Sequence, residues 1–314
     1  MRIISAAEVE AALDYESLVE RLRQAFRRDI TVPPRHHHQI AGAGPSPGGE
    51  ATLLLMPAWQ AGRHIGVKMV TIFPDNGARD LPAVMGAYLL LDGRTGSPQA
   101  LIDGPALTAR RTAAASALAS SYLSRPDAER LLMVGTGALA PRLIEAHAAV
   151  RPIHNVLIWG RSREKAEKLA KRLDRPDFRV AATTDLEAAA RGAHIISCAT
   201  LSTTPLIEGA WLQPGQHLDL VGGFRPDMRE TDDTAIRRAR VFVDTRTGAT
   251  TEAGDIVQPI ANRVLDPADI AADLFELTRG QRAGRRFYDQ ITLFKSVGTA
   301  IEDLAAAELV VERV

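Results

Sequence analysis

The stretch Leu131-Leu132-Met133-Val134-Gly135-Thr136-Gly137-Ala138-Leu139-Ala140 decides the fold of this 314-residue chain. An apolar run ends there in a glycine-rich turn, and residues with helical spacing follow. In a Rossmann βαβ unit, the first glycine permits a tight turn, the second lets backbone N–H groups approach a pyrophosphate, and a third small residue lets the helix pack on the strand. Gly135, Gly137 and Ala140 occupy these positions. They predict a dinucleotide-binding turn with the positive end of a helix directed at the phosphates.

The segments on either side of this turn predict two domains. After it, apolar strands alternate with helical segments, a pattern typical of an α/β fold with a Rossmann-type, doubly wound parallel sheet. Before it, short extended segments separated by Gly-, Pro- and Asp-containing turns predict a largely antiparallel sheet in an α+β domain. We therefore expect one domain over residues 1–122, completed by residues 287–314, and a dinucleotide-binding domain over residues 123–286. Without this context, the two glycines could also simply close a tight turn.

The length and composition agree with a soluble enzyme. Lys and Arg together equal Asp and Glu at 38 each, so the charge gives no footprint for a nucleic acid or an anionic membrane. The sequence contains neither an apolar run that would span a bilayer nor an N-terminal signal-peptide core. The single cysteine, Cys198, lies in an apolar run and cannot form an intrachain disulfide. A reducing cytoplasm is the compartment that we expect.

Three cations in the first half of the chain are candidate ligands of an anion. Arg35, Lys68 and Arg111 each lie at the edge of an ordered segment, in the motifs P-P-R, G-V-K and R-T-A-A. A lone basic residue in such a place is usually a solvated end. Three of them could nevertheless surround one carboxylate if the fold brought them together.

With these motifs the sequence resembles the ornithine cyclodeaminase/mu-crystallin family over nearly the whole chain. The other matching pieces are F-P-x-N, G-T-G-A-L-A and F-K-S-V-G, at residues 73–76, 135–140 and 294–298. The resemblance implies a nicotinamide cofactor, and it implies that Arg35, Lys68 and Arg111 surround the carboxylate of an amino or imino acid. It also implies that Val297 and its neighbours approach the nicotinamide. Finally, it implies a homodimer built through the N-terminal domain, which would then be a substrate and dimerisation domain.

Two departures from the cyclodeaminase pattern favour the ketimine-reductase branch. In cyclodeaminases, the segment that resembles residues 221–224 reads V-G-G-D, and its aspartate acts on the amine. Phe224 stands at the position of that aspartate here. Leu54 replaces a second acidic residue. Asp227 could substitute for one of them, although a loop residue is the simpler interpretation. We therefore expect an NAD(P)H-dependent reductase of cyclic imino acids, with an apolar wall formed by Phe224 and Leu54.

The proposed chemistry gives the three cations distinct roles. Protonation of the imine nitrogen makes the adjacent carbon a better hydride acceptor, so an acid is required; Lys68 is the first candidate and a bound water the second. Arg35 and Arg111 would hold the carboxylate. An ornithine cyclodeaminase, an alanine-type dehydrogenase and a non-catalytic small-ligand binder remain alternatives. The histidines at residues 36–38 predict no metal site, because adjacent strand residues point to opposite faces.

The end of the second Rossmann strand predicts which cofactor is used. NAD-selective folds place an acidic residue there, whereas arginine accommodates the 2′-phosphate of NADP. Gly160 takes the place of the acid, and Arg161, Ser162 and Arg163 follow. We expect NADPH to be favoured over NADH. The alternative is that these are ordinary polar residues at the start of a helix.

Overall fold

The computed structural model describes residues 1–41, 51–176 and 178–314, which form two compact units. The first unit comprises residues 1–112 and 299–314, and the second comprises residues 113–298. The sequence predicts boundaries after residues 122 and 286, so both predicted boundaries differ from those of the structure. The first difference arises because the helix Gly104–Leu123 begins in one unit and ends in the other.

The described residues form the following strands and α-helices, in chain order. The strands are β1 (Arg2–Ile4), β2 (His36–Ile40), β3 (Ala51–Gln60), β4 (His64–Ile72), β5 (Val84–Asp92), β6 (Pro98–Asp103), β7 (Arg130–Val134), β8 (Asn155–Trp159), β9 (Arg179–Ala182), β10 (Ile195–Cys198), β11 (His217–Leu220), β12 (Arg240–Val243), β13 (Ala272–Asp273) and β14 (Thr292–Lys295). The helices are α1 (Ala6–Ala12), α2 (Tyr15–Arg27), α3 (Gly104–Leu123), α4 (Leu139–Val150), α5 (Arg163–Leu173), α6 (Leu186–Gly192), α7 (Asp233–Arg238), α8 (Arg246–Glu252), α9 (Gly254–Ala261), α10 (Leu274–Thr278) and α11 (Ala300–Arg313). In the described residues, no helix is long and apolar enough to cross a membrane.

The first unit is built on a six-stranded sheet in the order β1-β6-β5-β4-β3-β2. Strands β2 to β6 pair in antiparallel fashion, which confirms the predicted antiparallel sheet, and β1 adds in parallel to β6. Helix α11 packs on β3, β4 and β5 and on α2. Its residues 300–310 are all buried, including three acidic side chains. This helix therefore brings carboxylates to one face of the sheet.

The second unit confirms the predicted Rossmann-type fold. Its eight strands run parallel in the order β13-β12-β14-β11-β10-β7-β8-β9. The order runs outward from β7 in both directions, so the sheet has its switch point between β7 and β10. Ligands of open α/β sheets bind outside the carboxyl ends of the strands at such a point. The turn at Gly135 follows β7 and lies at that place.

Candidate active site

A buried ionic cluster lies between β4, α3 and α11 in the first unit. The Lys68 Nζ is 3.0 Å from Oδ1 and 2.8 Å from Oδ2 of Asp303. Arg111 donates from Nε to Oδ1 of Asp303 at 2.9 Å and from Nη1 to Oε2 of Glu302 at 2.6 Å. Lys68 is 2% exposed and Arg111 5%. Charged groups this deeply buried require partners, and two carboxylates of α11 provide them.

Arg35 belongs to the same electrostatic neighbourhood. Burial is the largest cause of the lowered pKa of Lys68, and the positive charge of Arg35 adds to it; at Asp303, burial raises the pKa, while Arg111, Lys68 and then Arg35 lower it. The fold therefore brings together the three cations that the sequence singles out. The three cations carry three positive charges, and the carboxylates of Glu302 and Asp303 neutralise two of them. The remaining positive charge suits one additional carboxylate.

The surroundings of Lys68 prepare it to exchange a proton near neutral pH. Burial, followed by the charge of Arg111, lowers the pKa of Lys68, and Asp303 partly opposes both; together these effects bring the pKa to about 8. Burial would raise the pKa of Asp303, but Arg111 and Lys68 bring it below its ordinary value. Asp303 is thus an anion, and Lys68 can exist in either form close to the physiological range.

Gly66 of the G-V-K motif is required by the side chain that lies beside Lys68. Lys68 pairs with Tyr88 across β4 and β5, and a Cβ atom at Gly66 would lie 1.8 Å from the Tyr88 hydroxyl oxygen. Any larger residue would displace this ring. Burial, followed by the charge of Asp303, raises the pKa of Tyr88 well above its ordinary value, so the hydroxyl remains neutral.

Sequence reasoning missed Glu302 and Asp303. A signal was present, because both interrupt an otherwise alanine-rich, apolar helix. Acidic residues are almost never fully buried without a partner, so carboxylates in such a helix indicate buried cations elsewhere in the fold. The sequence alone does not say which cations these are.

The glycine-rich turn has the geometry that a pyrophosphate needs. Gly135 has a φ of +122°, and a Cβ atom there would lie 2.5 Å from the Ala199 carbonyl oxygen, so only glycine fits. A Cβ atom at Gly137 would meet nothing within 4 Å, which leaves room for a ligand. Ala140 is fully buried in α4. No side chain caps the start of α4, so its first N–H groups can bind an anion.

A cavity of about 510 Å³ opens beside this turn within the second unit. It is lined by Gly135, Thr136, Gly137, Trp159, Gly160, Arg161, Ser162, Lys165, Ala199, Thr200, Leu201, Ser202 and Leu206. The residues present therefore fit a dinucleotide along the carboxyl ends of β7, β8 and β10.

Arg161, Ser162 and Arg163, the three predicted 2′-phosphate ligands, do not all face the cavity. Arg161 and Ser162 line it, and Ser162 also caps α5 by accepting from the Lys165 N–H at 3.3 Å. Arg163 is not among the lining residues, and its Nε donates to Glu167 at 2.6 Å. Lys165, which no sequence motif singles out, lines the cavity instead, because helical spacing turns Arg163 away from it.

Val297 and Phe224 follow strands of the same sheet. The N–H groups of Val297 and Gly298 donate to Oδ2 of Asp244 at 2.8 and 2.7 Å, which fixes the turn after β14. Val297 is not among the residues that line the cavity. Phe224, after β11, is 42% exposed.

Asp227 and Leu54, which also bear on the choice between the reductase branch and the cyclodeaminases, lie in different units of the structure. Asp227 forms an exposed pair with Arg225 at 2.8 Å, as expected for a loop residue. In the first unit, Leu54 is half-buried on β3. It lies two residues from Met56, the partner of Lys68 in the sheet, and therefore shares a face with Lys68.

Comparisons with known proteins identify the family. The family model described as "Ornithine cyclodeaminase/mu-crystallin family" matches residues 1–314. A Δ1-pyrroline-2-carboxylate reductase of Colwellia psychrerythraea is 41% identical over 316 residues, covering 100% of this chain and 99% of that protein. The structure of the Thermococcus litoralis Δ1-pyrroline-2-carboxylate reductase with NADH and L-proline superposes with a TM-score of 0.90 at 32% identity, covering 100% and 97% of the two chains. An archaeal alanine dehydrogenase dimer with bound NAD superposes with a TM-score of 0.91 at 27% identity, covering 100% and 95%. The chain is a member of the ornithine cyclodeaminase/mu-crystallin family.

Proposed function

We propose that this protein is an NAD(P)H-dependent reductase of cyclic imino acids of the pyrroline- or piperideine-2-carboxylate type. The observation that carries the proposal is the Lys68 cluster, in which a proton donor with a pKa of about 8 lies beside a fixed guanidinium. One excess positive charge matches one substrate carboxylate. The activities named for the Colwellia and Thermococcus relatives support this substrate class.

Arg111 is the residue that would hold the substrate carboxylate most firmly. Its Nε and Nη1 donate to Asp303 and Glu302, so the guanidinium plane is fixed before a ligand arrives. The end of the guanidinium that carries Nη2 is left for a bidentate interaction with a carboxylate. Arg35 would add a second positive charge. A substrate held in one orientation presents its imine carbon in a defined direction.

Lys68 would supply the proton. Its ammonium can donate to the imine nitrogen, and Asp303 keeps the side chain in place before and after the transfer. A bound nicotinamide supplies the hydride that reduces the imine carbon. The residues around the Gly135 turn would bind the cofactor, with Val297 near the nicotinamide by family resemblance.

Two activity measurements test the proposed function. We expect NADPH oxidation with Δ1-pyrroline-2-carboxylate or Δ1-piperideine-2-carboxylate, and only background ammonia from ornithine with NAD. The reason is that Phe224 and Leu54 cannot ionise, so neither can compensate a buried substrate ammonium. Replacing Phe224 with aspartate should lower imine reduction. Ammonia release from ornithine by the wild-type protein would restore the cyclodeaminase alternative.

We also propose that NADPH is favoured over NADH. Arg161 and Lys165 line the cavity at the end of β8, where the 2′-phosphate of NADP would lie, and none of the described residues that line it is acidic. Replacing Arg161 with alanine should lower kcat/KM for NADPH about tenfold or more and change that for NADH little. Arg163→Ala is the matched control, because Arg163 is bonded to Glu167 outside the cavity. Equal or better wild-type kcat/KM with NADH would refute the preference.

A homodimer through the six-stranded sheet is the proposed assembly. The sheet register places many apolar side chains on the face opposite to Lys68, and they are only half-buried. They include Leu53, Leu55, Trp59, Ile65, Val67, Met69, Leu89, Leu91 and Leu101. A contiguous apolar surface of this kind marks an interaction site, and the dimeric alanine dehydrogenase supports a second copy as its partner. The molar mass in solution tests this assembly.

We further propose that the enzyme works in the cytoplasm. Its single cysteine, Cys198, is fully buried, and burial raises the pKa of its thiol well above the ordinary value. A buried neutral thiol is stable in a reducing compartment and needs no disulfide partner.

A further inference from the structure

Glu230 links two turns at the carboxyl edge of the parallel sheet. Its Oε1 accepts hydrogen bonds from the Thr200 N–H at 2.7 Å and from the Thr200 hydroxyl at 2.8 Å. Its Oε2 accepts from the Gly222 N–H at 2.8 Å. Thr200 follows β10 and Gly222 follows β11, so a single carboxylate joins the ends of two neighbouring strands.

A second buried carboxylate, Asp255, holds the backbone of Glu230 in place and is itself paired with a buried lysine. Asp255 accepts from the Glu230 N–H at 2.8 Å, and its other oxygen lies 3.2 Å from the Lys295 Nζ. All three side chains are fully buried. A Cβ atom at Gly222 would lie 2.3 Å from Oε1 of Glu230, and one at Gly223 would lie 2.6 Å from Oδ2 of Asp255. The glycine pair before Phe224 is therefore shaped around these carboxylates.

The turn that Glu230 holds is a wall of the cofactor cavity. Thr200, Leu201 and Ser202 line this cavity, whereas Glu230 does not. The same turn supports the phosphate-binding glycine, because the Ala199 carbonyl oxygen excludes any Cβ at Gly135. A change at Glu230 would therefore reach the cofactor through Thr200 and its neighbours.

We propose that Glu230 is a positioning residue for the nicotinamide cofactor: its backbone is held by Asp255, and its carboxylate fixes the Thr200 and Gly222 turns in the conformation that binds the dinucleotide. This inference rests on the proposed function only for the identity of the cofactor. In this proposal Glu230, Asp255 and Lys295 determine the affinity for the cofactor, whereas Lys68 transfers the proton to the imine.

The hydrogen bonds of the Glu230 carboxylate make the link between the two turns sensitive to pH. Burial raises the pKa of Glu230, Lys295 opposes this effect and Asp255 adds to it; together these effects bring the pKa to about 7. Cys198 on β10 also faces the carboxylate, as a neutral thiol. A proton on Oε2 would set an O–H against the Gly222 N–H, and a proton on Oε1 would reverse the hydrogen bond from the Thr200 hydroxyl; either change weakens the link between the two turns. Dinucleotide affinity should consequently fall as the pH falls below about 7.

The test compares Glu230→Gln with the wild-type protein in titrations with NADPH alone, followed by nicotinamide fluorescence across this pH range. The glutamine amide cannot accept from both turns, so Kd should rise about tenfold, as for one lost hydrogen bond to a charged group. Its Kd should also lose the pH dependence of the wild type, while kcat at saturating NADPH changes little. Asp227→Asn is the matched control, because it removes an exposed carboxylate from the same loop.

Three outcomes decide the matter. An unchanged Kd with an unchanged pH profile in Glu230→Gln would overturn the positioning role. If that variant does not fold, Glu230→Asp, which still ionises, should bind NADPH more weakly and keep the pH dependence; wild-type affinity in it would also overturn the inference. Because cofactor is titrated without substrate, wild-type binding of NADPH without turnover of any imine would contradict the proposed function alone.

Discussion

Replacing Lys68 with methionine should lower kcat for imine reduction by about 10²- to 10⁴-fold, the usual contribution of a positioned general acid. Methionine fills the same space but carries no proton. Asp303 would keep its partner Arg111, so the buried carboxylate would not be left without a cation. Steady-state rates at saturating substrate measure the loss, and a thermal unfolding curve establishes that the variant is folded.

The pH profile and a conservative variant separate acid catalysis from a charge effect. Because Lys68 has a pKa of about 8, its protonated form is depleted above that pH, so imine reduction should slow there and oxidation of the cyclic amino acid should speed up. In Lys68→Arg the positive charge stays, but guanidinium does not release its proton. Wild-type kcat in Lys68→Arg would contradict the role of Lys68 as the acid.

Replacing Arg111 with lysine should raise KM for the imino acid about 30-fold, corresponding to roughly 2 kcal/mol of lost binding. Lysine retains the charge but cannot hold Asp303, Glu302 and a substrate carboxylate in one plane, as the guanidinium does. Initial rates across a range of imine concentrations give KM and kcat separately.

Arg110→Lys is the matched control for Arg111. Arg110 is the adjacent residue of α3, and its guanidinium pairs with Glu10 at 2.6 Å instead of with the buried carboxylates. Its replacement should leave KM close to the wild-type value. If Arg111→Lys also retained wild-type KM and kcat with every accepted imine, Arg111 would be a structural partner of Glu302 and Asp303 only.

The parts of the fold that local patterns encode were predictable. An apolar run followed by G-T-G-A-L-A specifies a strand, a turn with a left-handed glycine and a helix within a few residues. The structure has β7, Gly135 and α4 there. Turns that contain glycine, proline or aspartate likewise delimit the extended segments that form β3 to β6.

Features that depend on long-range pairing were not predictable from such patterns. β14 inserts between β11 and β12, although the chain reaches it only after β13. Lys68 and Asp303 are 235 residues apart in sequence, and only the packing of α11 on the antiparallel sheet brings them together. The same limit applies to Glu230, whose partners lie on three other segments of the chain.

Transfer of deuterium tests the central claim most directly. Purified protein is incubated with Δ1-pyrroline-2-carboxylate and NADPH deuterated at C4, and the proline formed is analysed by mass spectrometry. The proposed reduction predicts one deuterium at C2 of proline, since the hydride is delivered to the imine carbon next to the carboxylate. No turnover of this imine or of its six-membered homologue, together with ammonia and proline formation from ornithine and NAD, would contradict the account.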